Sequence, residues 1–75
     1  MFRKLRLKKE IKACIARIEK TEKLRTRSQA ALLEAILTHQ SPDDADVDYF
    51  NRYTAIIDEE RDKMHALKKE LADLK

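Results

Sequence analysis

A chain of 75 residues, 41% charged and 5% aromatic, has a thin core and usually needs a staple or a partner to hold its fold. Its lone cysteine, Cys14, rules out an internal disulfide, and one cysteine with two distant histidines gives no zinc-ligand spacing. With no glycine there is no phosphate-cradling loop or nucleotide fingerprint, so no cofactor is expected, and the apolar run Ala30 to Leu33 is far too short to span a membrane.

What remains is helix. Ala, Glu, Lys, Leu and Arg dominate, as in long helices and coiled coils, and the apolar 43% is placed periodically, which argues against disorder. The first helix is expected from about residue 2 to about residue 40, with no residue that breaks it. At 1.5 Å per residue it is roughly 57 Å long. Its expected seam is Leu7, Ile11, Ile15, Ile18, Glu22, Arg25, Gln29, Leu32 and Ile36, at spacings of three and four with a polar centre.

The break falls at about residues 39–42. Pro42 disfavours helix at Ser41 and lacks a backbone donor, yet proline suits the first position of a new helix. Ser41 is therefore expected to cap, with Pro42 first and Asp44 in the place of the acidic capping-box residue. Asp43, Asp44, Asp46 and Asp48 crowd the start, where the helix dipole favours anions. The same cluster is a poor calcium loop. Counted from Asp44, Tyr49 stands where glycine is needed and Ala55 where a bidentate glutamate is needed. His39 is expected in the last turn of the first helix, where a cation suits the dipole.

The second helix is expected from about residue 42 to about residue 74. Phe50, Tyr53, Ile57, Glu60, Met64, Leu67, Leu71 and Leu74 alternate by three and four without a slip. The fold class is thus all-α: one antiparallel two-helix coiled-coil hairpin over residues 1–75. A tight turn pairs residues whose numbers total about 82, with a looser alternative near 86. The tighter register groups Glu22 and Arg25 opposite Glu60, with Arg61 nearby, as a polar layer that fixes register.

Apolar residues near the turn exceed what one seam uses. Leu33, Leu37, Tyr49 and Ile56 lie off the seams, and with Tyr53 they form the expected self-association surface. The expected assembly is a homodimer, as a four-helix bundle, with higher oligomers open. The ends differ in charge. Residues 1–27 hold eleven Lys and Arg against three Glu, whereas residues 28–75 hold six against eleven Asp and Glu. The basic set Arg3, Lys4, Arg6, Lys8, Lys9 and Lys12 supports an alternative role in contacting nucleic-acid phosphates; the same set is otherwise a solvated helix end. A membrane-surface role is the weaker reading of it. With no nucleophile–base constellation, no metal site and no small-molecule pocket implied, the chain is read as a non-enzymatic interaction module. No targeting segment is evident, so a cytoplasmic location is the expectation.

Overall fold

The computed structural model describes residues 2–74. Two helices, α1 (Phe2–Leu37) and α2 (Asp44–Ala72), pack against each other as a hairpin of 57 × 15 × 14 Å. Cross-helix contacts descend one helix as they climb the other: Arg25 with Thr54, Arg17 with Glu60, Arg3 with Glu70. The helices are therefore antiparallel.

The α2 seam is the expected one. Ile57 is fully buried, and Phe50, Tyr53, Glu60, Met64, Leu67 and Leu71 are half-buried; Leu74, past the end of α2, is exposed. The α1 seam differs at alternate positions. Leu7, Ile11, Cys14, Ile18, Thr21 and Ser28 are buried, and Arg25, Leu32 and Ala35 are half-buried. Ile15, Gln29 and Ile36 are exposed instead, and Glu22 is half-buried at the edge. The reason is periodicity. From Leu7 a strict alternation of four and three reaches Cys14, Thr21, Ser28 and Ala35. Reading through Ile15 inserts a second step of four and moves every other position onto the flank. The seam thus carries a small side chain once per heptad, set against the larger side chains of α2.

Burial is uneven along the hairpin. Leu7, Ile11, Cys14, Ile18 and Thr21 lie in the half of α1 away from the turn, whereas Ser28 is the one buried residue of α1 beyond Thr21. Leu32, Phe50 and Tyr53, near the turn, are only half-buried. The α1 seam is thus buried more deeply in the half away from the turn, although Met64, Leu67 and Leu71 of α2 there are only half-buried.

The turn is longer than expected: α1 ends sooner and α2 starts later. The Gln40 N–H donates to the Ala35 carbonyl at 2.8 Å and the His39 N–H to the Ile36 carbonyl at 3.1 Å. These are the two crossed bonds of a Schellman cap, which absorb carbonyls that would otherwise be orphaned. His39 adopts φ 59, the left-handed conformation that the motif requires and that glycine adopts most readily. It is consequently outside the helix and not in its last turn. Once residues 38–40 are committed to that cap, Ser41 is too close to start a helix. Asp43 caps α2 instead, with extended backbone at φ −66 and ψ 134 and its carboxylate accepting from the Ala45 N–H at 3.2 Å. Pro42 precedes the cap, and Asp44 and Asp46 occupy the first turn.

His39→Gly is expected to raise stability by about 1 kcal/mol, because a side chain with a Cβ is strained in the left-handed region. A thermal melt followed by circular dichroism checks it; an unchanged or lower melting temperature would show that His39 is held there by contacts worth more than the strain.

Candidate interaction surface

The polar residues of the seam are spread over two turns and not stacked in one layer. Glu60 is paired with Arg17 at 3.0 Å. Glu22 pairs with Arg61 at 3.3 Å, and Arg25 reaches Thr54 at 3.5 Å. Glu22, Arg25 and Glu60 thus sit in the middle of the hairpin, each engaged with a different residue of the opposite helix. The pairs Arg17 with Glu60, Arg25 with Thr54 and Glu22 with Arg61 have numbers totalling 77, 79 and 83, below the looser register near 86. Long guanidinium side chains reach a turn up or down, which accounts for the spread.

Arg17 was not singled out by the seam pattern because it precedes seam residue Ile18 and lies on the flank. Cation and carboxylate positions flanking a seam are where such pairs form, and that rule locates it. Arg17 also donates to the buried Cys14 sulfur at 3.4 Å, one turn back. The guanidinium hydrogen bond from Arg17 holds the Glu60 carboxyl below the usual carboxylate range against the opposing effect of burial. The Cys14 thiol and Lys63 add to that lowering. The same hydrogen bond raises Arg17 against its own desolvation.

A carboxyl lowered by folding stabilises the fold above its ordinary value and ceases to do so as pH falls through its folded value. Arg17 stays charged throughout that window. Glu60→Gln should therefore melt below wild type near neutral pH, with the gap closing as pH falls through and below the carboxylate range. Melting temperatures measured from pH 7 to pH 2 test this; a gap constant across that range would mean that Glu60 does not couple to folding through its charge.

Phe2 and Leu5 are 88% and 56% exposed at the open end; apart from these and Leu37, the exposed large apolar residues of the two helices occupy two opposite flanks. Helical spacing places Ile15, Leu33 and Ile36 in the column of Glu22, about two, three and four turns from it, and Val47 about four turns from Arg61. Leu33 and Ile36 are 52% and 59% exposed, and Ile15 and Val47 are exposed less. The other flank follows the column of Glu70 and carries Tyr49 and Ile56, 49% and 41% exposed. Tyr53 belongs to the seam and stacks on Tyr49, with ring centroids 6.2 Å apart and planes 15° apart. Leu37, at the end of α1, is 78% exposed. Of the five residues expected to form one self-association surface, Leu33 thus sits on one flank, Tyr49 and Ile56 on the other, with Tyr53 between helices and Leu37 at the tip.

Charge separates along the axis. Residues 34–48, which make the tip, contain Glu34, Asp43, Asp44, Asp46 and Asp48 and no Lys or Arg. At the open end Arg3, Lys4, Arg6, Lys8, Lys9 and Lys12 are exposed on α1, with Arg3 paired to Glu70. The fold adds Lys63, Lys68 and Lys69 of α2, also exposed, to the same end. Those three were invisible to a reading of the N-terminal segment alone; they come into place only when the chain is folded back.

A shallow open groove under the turn is lined by Ala31, Glu34, Ala35, Thr38, Gln40, Ser41, Asp43 and Asp46. Asp43 is engaged in capping and Thr38 donates to the Glu34 carbonyl at 2.9 Å, so the groove follows from the turn itself. Among the described residues no group of three or more His, Cys, Asp or Glu is placed to hold a metal ion, and no helix is long and apolar enough to cross a membrane. Comparison of the chain with protein-family models, with curated proteins and with solved structures finds no match.

Proposed function

We propose that the chain is a non-enzymatic interaction module that associates with itself, as a dimer of hairpins forming a four-helix bundle. The observation that carries this reading is the uneven core. The hairpin buries Leu7, Ile11, Cys14, Ile18 and Ile57 but leaves Leu33, Ile36, Tyr49 and Ile56 uncovered toward the turn. Exposed large apolar side chains on a small domain are the ordinary mark of an interface, and a second hairpin laid along one of these flanks completes a four-helix bundle. At about 25 cal/mol per Å² of apolar area, covering several such side chains stabilises a chain of this size appreciably.

Sedimentation equilibrium over a wide concentration range tests the proposal. A dimer that dissociates on dilution is expected; a strict monomer that melts cooperatively at every concentration overturns it.

A second reading draws on the open end. Lys63, Lys68 and Lys69 extend the basic set Arg3, Lys4, Arg6, Lys8, Lys9 and Lys12 onto a second helix, which enlarges the surface presented to an anionic partner such as nucleic acid. Binding of mixed-sequence RNA or DNA at low salt, weakening steeply as salt rises, is the expected outcome of that reading. No binding at low salt removes it.

A further inference from the structure

We propose that the second copy docks antiparallel to the first, the turn of each hairpin pointing toward the open end of the other, across the flank that carries Leu33, Ile36 and Val47. The proposal rests on the self-association reading and adds the partner's orientation and the face it covers.

The face follows from what each flank carries. Among the described residues, the Leu33 side has Ile15, Leu33, Ile36 and Val47 exposed and one cross-helix ion pair, Glu22 with Arg61. The opposite side has Tyr49 and Ile56, and it carries the ion pairs of Arg3 with Glu70 and Arg17 with Glu60. Interface cores are depleted of charge, so the first side is the better core.

The orientation follows from charge. The tip holds five carboxylates and no Lys or Arg, while residues 2–12 and 63–74 hold nine Lys and Arg against three carboxylates. Side by side in the same direction, two hairpins set tip against tip and basic end against basic end. Reversed, each tip runs along its partner toward the basic end, and opposite charges approach twice. With each tip along the partner's open half, the two-fold axis passes near mid-hairpin and the interface is isologous, Leu33 and Ile36 of each copy lying over the open half of the other. The hairpin is 57 Å long, several Debye lengths at physiological salt, so its two ends act as separate charges and do not average out.

The two orientations respond to salt with opposite sign. Sedimentation equilibrium of the full chain at low and high salt is the test, run on wild type and two variants with helical content checked by circular dichroism. One variant combines Asp44→Asn, Asp46→Asn and Asp48→Asn. The other combines Lys8→Gln, Lys12→Gln and Lys68→Gln, far from the start of α2, and so stands even if the first frays that helix. The expected result is a dimer that weakens about tenfold or more with added salt, and weakens likewise in both variants. A dimer that tightens with salt or on neutralisation is parallel and overturns the orientation while leaving self-association intact. A dimer lost with Ile56→Asp but kept with Leu33→Asp overturns the choice of face. A monomer under all conditions removes self-association itself.

Discussion

Ile57→Ala should cost about 2–5 kcal/mol, the range for truncating a large aliphatic side chain in a core, and so remove much of the stability of the isolated hairpin. Ile57 is 0% exposed and is the one buried residue of α2 among those described. It is at mid-hairpin in the part of the chain that also holds Cys14 at 0%. A small domain has a few kcal/mol of stability in total, so the loss from one side chain is comparable with the whole. Two neighbouring helices cannot collapse around the gap without moving the seam, which places the cost toward the upper part of the range. Urea denaturation followed by helical signal measures it, at one fixed concentration because association adds to apparent stability. Leu74→Ala, at an exposed position past the end of α2, is the control and should cost well under 1 kcal/mol. Equal losses from the two would show that the core is not where burial places it.

Leu33→Asp should abolish the dimer at micromolar concentration while leaving the helical signal of the hairpin in place. Leu33 is half-exposed in the monomer, so a carboxylate there costs the hairpin little. In the proposed dimer it would be desolvated twice, once in each copy, under the partner hairpin. An unpaired buried charge costs several kcal/mol, and 1.4 kcal/mol is already tenfold in affinity. Sedimentation equilibrium separates this from unfolding, since a monomer with full helicity and a monomer without it are different outcomes. Persistence of the dimer would exclude Leu33 from the interface.

How much of this was legible in the sequence differs between the helices. The α2 seam could be read from period alone, because Phe50, Tyr53, Ile57, Met64, Leu67 and Leu71 keep heptad spacing without a slip, and only Phe50 and Ile57 have a large apolar neighbour, Tyr49 and Ile56. The α1 seam could not be read by apolarity. Its positions at Cys14, Thr21, Ser28 and Ala35 carry small or polar side chains, while the larger Ile15 and Ile36 stand next to two of them. Size and hydrophobicity pull the reading one residue aside; strict spacing from Leu7 does not. The turn was hidden for another reason. A left-handed cap usually announces itself by glycine, and here histidine takes that conformation, which displaced the expected cap from Ser41 to Asp43. The apolar surplus near the turn was legible as composition. Its division between two flanks was not, because that depends on which side of each seam a residue falls.

The uneven burial along the hairpin also bears on how it moves. Residues near a turn are brought together by short loops and lose little chain entropy in meeting, whereas Leu7 and Leu71 must close a loop of most of the chain. In this hairpin the contacts that are entropically easy are the poorly packed ones, and the well-packed ones are entropically hard. Local opening is therefore expected first in the turn half, where α1 buries only Ser28, and later in the half of α1 from Leu7 to Thr21. A partner docking at the turn half, as proposed, would meet the part of the fold with the least to lose by readjusting and would complete its packing.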